Sequence, residues 1–113
     1  MTPTDKHPFQ LIEILLEAIT LVSPIVAKIR RHDRNLADQL KRSATGAPLL
    51  AGEGNGHRDG NRHAKLRSAR AEVDEARVAL RVALRWTYVT PDEVAAVDAR
   101  FESAARILHR LTS

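Results

Sequence analysis

Aliphatic residues recur at intervals of three and four through four segments of this chain, and that spacing constrains the fold more than any other feature. In the first segment it joins Ile12, Leu15, Ile19 and Val22, which would place them on one face of a helix with 3.6 residues per turn. No segment alternates apolar and polar residues with a period of two, so no β-sheet is predicted. We therefore expect an all-α protein.

Start and stop signals divide the pattern into four helices. Thr90-Pro-Asp-Glu93 combines a threonine N-cap, a proline at the first helical position and a glutamate three residues after the cap, the pattern of a capping box. Four of the five glycines lie between residues 52 and 60, which predicts a loop. The predicted helices cover about residues 9–31, 35–52, 61–88 and 91–111. Their short connections favour an antiparallel up-down-up-down four-helix bundle, with residues 1–113 as a single domain.

The composition argues against catalysis and against a bound metal or cofactor. The absence of cysteine excludes disulfides, thiol catalysis and thiolate metal sites. His57 and His63 are six residues apart around flexible glycine, a poor spacing for zinc. Ser43, Ser68 and Ser103 have no histidine at a meaningful spacing, so a nucleophilic triad is not predicted. We expect no catalytic residue, no metal and no cofactor. A small helical enzyme with arginine and glutamate in a cleft is the alternative, and it would need charged residues that face inward.

The first helical segment predicts neither a signal peptide nor a membrane span. The N-terminus lacks a cationic start followed by an apolar core and a cleavage site. The apolar run that follows is interrupted by Glu13, Glu17 and Pro24, and a membrane helix tolerates few such residues. These observations predict a cytoplasmic protein.

The apolar arc on the first helix is wider than one side of a monomeric bundle helix needs. Leu11, Ile14, Leu21 and Ile25 form a second stripe beside the first, and we expect it to contact another subunit. On the third helix arginines recur at positions i, i+4 and i+8. This stripe comprises Arg77, Arg81 and Arg85. It suits ion pairs at a subunit interface, or a solvated helix face.

A basic segment at the start of the third helix is the candidate nucleic-acid site. It contains Arg58, Arg62, Lys65, Arg67 and Arg70. Lysine and arginine bind phosphates without sequence preference, and the net charge of +4 suits an anionic partner. In the predicted topology this segment lies at the same end of the bundle as Arg106 and Arg110. The alternative is an ordinary solvated helix start.

The aromatic residues allow two interpretations. Trp86 and Tyr88 could stack on nucleic-acid bases, or they could pack at the end of a core helix. Because aromatic residues make up only 4% of the chain, packing is the preferred interpretation.

The middle of the chain resembles a known family. The matching residues are Leu40-Lys-Arg42 followed by Ser43-Ala-Thr45, then Pro48, Glu53-Gly54 and Gly56, then Ser68-Ala-Arg-Ala-Glu72 and the ending Trp86-Thr-Tyr-Val89. They resemble the four-helix-bundle proteins encoded by intervening sequences in bacterial large-subunit ribosomal RNA genes. That family includes the accessory variability determinant of diversity-generating retroelements.

The resemblance implies a non-catalytic four-helix bundle that forms a ring-shaped homo-oligomer, pentameric in the family, and binds nucleic acid. In the retroelement branch the partner is a reverse transcriptase, so a protein-interaction scaffold is the alternative function.

Overall fold

The chain folds into four helices that close into one bundle. The computed structural model describes residues 3–55 and 60–113, with side chains described at 10–55 and 61–113. Its helices are α1 (Pro3–Arg30), α2 (Arg34–Asn55), α3 (Gly60–Arg85) and α4 (Pro91–Thr112). Each helix packs on the next one along the chain, and α4 returns to pack on α1. The prediction of an all-α, antiparallel up-down-up-down bundle is confirmed.

Three of the helix bounds differ from the predicted ones. Helix α1 begins at Pro3 rather than near residue 9, and α2 continues to Asn55 rather than ending at residue 52. Helix α3 ends at Arg85 instead of residue 88. The start of α4 is as predicted, because the Thr90 side chain and Glu93 form the expected capping box.

The predicted glycine loop is wrong for Gly52 and Gly54, which lie inside α2, and none of the glycines that the structure describes has a positive φ. A Cβ atom on Gly54 would lie 3.0 Å from both Cγ and Cδ2 of Leu66 on α3. Glycine is therefore needed here for a close approach of two helices rather than for a turn. Residues 56–59 of the predicted loop lie outside the described part of the chain.

The core divides into a bulky half and a small-residue half. Helices α1 and α4 contribute mostly branched and aromatic side chains, whereas α2 and α3 contribute alanine at half of their buried positions. The buried alanines of α2 and α3 are Ala37, Ala44, Ala47, Ala51, Ala69, Ala76, Ala79 and Ala83. Small side chains allow two helix backbones to approach closely, so van der Waals contact along the α2–α3 pair is extensive.

The predicted subunit stripe on α1 is wrong for Leu11 and Ile25, because both are buried in the core of their own chain. Ile14 and Leu21 are half-buried and pack against the same core. The apolar arc of α1 is wide because α1 contacts two helices, α2 on one side and α4 on the other. Large apolar side chains are instead exposed at other described positions. These are Leu16, Leu49, Val78, Val82 and Trp86.

The end of α3 explains the exposure of Trp86. The amide of Tyr88 donates to the Ala83 carbonyl at 3.0 Å, and the amide of Thr87 donates to the Leu84 carbonyl at 3.0 Å. This nested pair of hydrogen bonds is a Schellman motif. Thr87 occupies its left-handed position with a φ of 61°, where glycine is usual. The preferred interpretation of Trp86 as a packing residue is therefore wrong, whereas Tyr88 turns back and packs against the core.

Ion pairs tie α4 to both of its neighbours. Lys28 of α1 pairs with Glu93 of α4, and Glu17 of α1 pairs with Arg100 of α4. On the other side, Arg77 of α3 pairs with Asp98 of α4.

Among the helices that the structure describes, none combines the length and the apolar character that a membrane-spanning segment requires.

Candidate nucleic-acid interface

A groove with a volume of about 670 Å³ lies between α3 and α4. Its lining comes from α3 and from the C-terminal half of α4. The lining residues are Arg70, Asp74, Arg77, Glu102, Ala105, Arg106, His109 and Arg110. Four arginines and a histidine thus face two carboxylates, so the groove carries an excess of positive charge.

The groove follows from the spacing of charged residues on two helices. On α3, Arg70, Asp74 and Arg77 lie at positions i, i+4 and i+7, which share one face. On α4, Glu102 and Arg106 occupy positions i and i+4 of the matching face, and Arg110 extends it by another turn. Because α3 packs directly on α4, the two charged faces border the same depression.

Two of the arginines in the groove are held by carboxylates. The Arg77 guanidinium donates to both oxygens of Asp98, at 3.0 and 3.3 Å, and this hydrogen bonding raises the pKa of Arg77 above its usual value. Arg106 donates to Glu102 at 2.9 Å within α4. These pairs fix the shape of the groove. Each joins one positive and one negative charge, so the pairs contribute little net charge to it.

Outside these two pairs, the groove lining holds two arginines, Arg70 and Arg110, and one carboxylate, Asp74, so the excess positive charge comes from the arginines. Arg70 donates to the Thr112 hydroxyl at 3.3 Å, and this neutral partner orients the guanidinium without cancelling its charge. Among the residues that the structure describes, neither Arg70 nor Arg110 forms an ion pair with a carboxylate. Both can therefore bind an anion without first breaking an ion pair.

The predicted basic segment is only partly brought together. Arg70 lines the groove, and Arg67 is exposed on α3 less than one turn earlier. Lys65 instead pairs with Glu53 of α2 at 3.2 Å, and Arg62 is half-buried near Gly54. Arg58 lies outside the described residues.

Sequence reasoning placed Arg106 and Arg110 at this end of the bundle but missed His109 and the contribution of Arg77. The sequence predicts that Arg77, with Arg81 and Arg85, forms a stripe at a subunit interface or on a solvated helix face. The structure directs Arg77 toward α4 and leaves the other two exposed. The missed signal is the recurrence of charge on α4, which matters only once α3 is known to be its neighbour.

The described residues contain neither a cluster of metal-ligating side chains nor a buried side-chain polar atom without a hydrogen-bond partner. No group of three histidine, aspartate or glutamate side chains there could hold a metal ion. Every buried side-chain nitrogen and oxygen in the described part has a hydrogen-bond partner. Ser43, the buried polar residue of α2, donates to the Gln39 carbonyl at 2.6 Å.

The fold and the groove together define a four-helix-bundle protein with a basic groove on one side. No family model and no curated protein matches the sequence. A solved structure that it resembles is a protein of unknown function from the S23 ribosomal protein family of Bacteroides thetaiotaomicron. The two share a TM-score of 0.81 and 18% identity over 91% of this chain and 98% of the other. This likeness confirms the fold.

Proposed function

We propose that the chain is a non-catalytic, homo-oligomeric protein that binds the phosphate backbone of RNA or DNA in the α3–α4 groove. The observation that carries the proposal is the pair of arginines, Arg70 and Arg110, which line one groove without a carboxylate partner among the described residues. Each can replace a condensed cation beside a phosphate, and release of that cation favours binding.

The partner class follows from the kind of groove. It is open and lined by guanidinium groups, so it suits an extended polyanion better than a small molecule that needs an enclosed apolar pocket. Guanidinium groups bind phosphate oxygens through two parallel hydrogen bonds. Such contacts give affinity without sequence preference.

The family assignment is part of the proposal. The motifs between Leu40 and Val89 resemble the intervening-sequence proteins, and the similar solved structure is assigned to the S23 ribosomal protein family. Both observations support a link between this bundle and ribosomal RNA genes or their products. The retroelement branch, with a reverse transcriptase as partner, is the alternative within the same family.

Homo-oligomerisation is supported by apolar side chains that the single bundle leaves exposed. Leu49 on α2 is 63% exposed and Val78 on α3 is 54% exposed, with Val82 one turn further along the same face. A second copy that covers them would remove apolar surface from water. An oligomer would also present several basic grooves to one nucleic acid, which raises the overall affinity.

The proposal is tested by fluorescence polarisation with a labelled RNA hairpin across a range of salt concentrations. Binding should weaken steeply with salt, and Arg70→Gln or Arg110→Gln should each lower the salt slope by about one. Arg42→Gln is the matched control, because it removes one exposed arginine from α2 and has the same effect on net charge. Equal losses in all three variants, or no binding at low salt, would overturn the groove assignment.

The oligomer is tested separately by light scattering. The natural chain should have a mass several times 12.6 kDa, and Leu49→Lys or Val78→Lys should reduce it. A monomeric natural chain would remove this part of the proposal and leave the groove untouched.

A further inference from the structure

Three aromatic rings lie nearly parallel at the end of the bundle where α1 meets α2. The ring of Tyr88 stacks on His32, with centroids 4.8 Å apart and planes inclined by 8°. It also stacks on Trp86, with centroids 6.3 Å apart and planes inclined by 17°. Tyr88 therefore joins residues from two separate connections, and Trp86 extends the stack outward.

Trp86 is the exposed member of this stack. It is the chain's single tryptophan, and 64% of its surface is accessible to solvent. Tyr88 covers only part of the indole, so a broad apolar surface faces water. Large aromatic side chains are among the residues that lose most by such exposure, and an exposed one suggests a binding partner.

The backbone holds Trp86 in place. Its amide donates to the Val82 carbonyl at 3.0 Å, and the Schellman hydrogen bond from Tyr88 follows directly. Thr87 between the two rings has the positive φ described above, a conformation that is costly for a β-branched residue. The backbone at Trp86 is therefore fixed, and the indole stacks on Tyr88 before any ligand arrives, which lowers the entropy cost of stacking a base on it.

Cationic side chains adjoin the stack in sequence. Arg85 precedes Trp86 and Arg31 precedes His32, and both are exposed. Neither forms an ion pair within the part of the chain that the structure describes. The nearby carboxylate of Asp33 accepts a hydrogen bond from the amide of Leu36 and so caps α2. Exposed aromatic rings beside free cations are the combination that single-strand binding surfaces use.

We infer that Trp86 binds an unpaired base of single-stranded RNA or DNA by stacking, with Arg31 and Arg85 bound to the flanking phosphates. This inference deepens the proposed function and rests on it for the class of partner, but it concerns a different surface. Arg70 and Trp86 are 16 residues apart along the chain, about 24 Å at the rise of a helix. Bases in a duplex have both faces covered by their neighbours, so the site selects unpaired nucleotides.

The single tryptophan provides a direct test. Addition of a short oligouridylate should quench the fluorescence of Trp86 in a saturable way, because the base stacks on the indole. A blunt duplex of the same length and inorganic polyphosphate should leave the emission unchanged. Because both variants lack the tryptophan, their affinities are measured by fluorescence polarisation of a labelled oligouridylate. Trp86→Leu should weaken oligouridylate binding about tenfold, whereas Trp86→Phe should retain most of the affinity. Duplex binding should be unaltered in both variants.

Three results would overturn the inference. One is quenching by polyphosphate as strong as by oligouridylate, and another is unchanged oligouridylate affinity in Trp86→Leu. The third is a smaller oligomer in Trp86→Leu, which would assign the indole to a contact between copies. If duplex binding still depends on Arg70 and Arg110 in these cases, the proposed function stands without this site. Quenching by oligouridylate without any duplex binding would instead overturn the proposal that the α3–α4 groove binds the phosphate backbone.

Discussion

The ammonium group of Lys28 on α1 lies 2.7 and 2.8 Å from the two carboxylate oxygens of Glu93 on α4. The same carboxylate accepts a hydrogen bond from the Thr90 amide at 2.8 Å, while the Thr90 hydroxyl accepts one from the Glu93 amide at 3.3 Å. One side chain thus closes the capping box of α4 and joins its first turn to the end of α1.

This double role predicts a pH-dependent loss of stability in Glu93→Gln. The hydrogen bond from Lys28, followed by that from the Thr90 backbone, holds the pKa of Glu93 below its usual 4.5. A lowered pKa in the folded state gives stability that is present above pH 4.5 and is lost as the pH falls through the folded-state pKa. Glu93→Gln should therefore melt below the natural chain at pH 7, and the gap should narrow as the pH falls below 4.5 and through the folded-state pKa. Thermal melts of Glu13→Gln, an exposed control, should show no such gap.

Glycine to alanine substitutions two residues apart in α2 should have opposite effects. At Gly52 a Cβ atom meets nothing within 4 Å, so Gly52→Ala should stabilise the helix by about 0.5–1 kcal/mol. At Gly54 a Cβ atom would lie 3.0 Å from the buried Leu66 side chain, so Gly54→Ala should destabilise by about 1–3 kcal/mol. Urea denaturation measures both, and equal signs would contradict the close approach of α2 and α3.

Replacement of Thr87 by glycine should stabilise the protein. Its φ of 61° costs a non-glycine residue about 1–2 kcal/mol, and glycine recovers this cost minus about 0.5–1 kcal/mol for the extra freedom of the unfolded chain. Thr87→Gly should therefore raise the free energy of unfolding by roughly 0.5–1 kcal/mol. Thr87→Ala is the control, because alanine shares the positive-φ penalty. Loss of stability in Thr87→Gly would show that the threonine hydroxyl matters more than the backbone.

The pair of Arg77 and Asp98 should contribute measurably to stability, unlike Arg106 and Glu102. The Arg77 side chain is only 23% exposed and donates to both oxygens of a residue on another helix. A double-mutant cycle with Arg77→Gln and Asp98→Asn should give a coupling of about 0.5–1 kcal/mol. The more exposed pair within α4 should give less than about 0.5 kcal/mol. Similar coupling energies for the two pairs would show that the pair between α3 and α4 stabilises the protein no more than an exposed pair within one helix.

Local signals in the sequence predicted the bundle well. The capping box at Thr90 and Glu93 is present as expected, because it depends on residues within one turn. The helical periodicity also identified four helices correctly, since each must bury an apolar face. Such features need no knowledge of which helices are neighbours.

The errors concern residues whose role depends on a distant partner. Gly54 suggested a loop because nothing in the local sequence shows that Leu66 packs against it. Leu11 and Ile25 suggested a subunit contact because the sequence does not show that α1 packs on two helices. The sequence favours packing of Trp86 at the end of a core helix, because threonine rarely takes the left-handed position and the predicted end of α3 is therefore three residues too late. The groove needed the pairing of α3 with α4 before the arginines on the two helices could be seen as one site.

The small-residue half of the core has a consequence for how the protein opens. Because α2 and α3 meet through alanine and glycine, their backbones have little room for water or for partial separation. Helices α1 and α4 pack through longer side chains and are joined to their neighbours by partly exposed ion pairs. Amide hydrogens near Ala47 and Ala76 should therefore exchange with deuterium last, only when the whole chain unfolds. The hairpin of α2 and α3 would then be the unit on which α1 and α4 assemble.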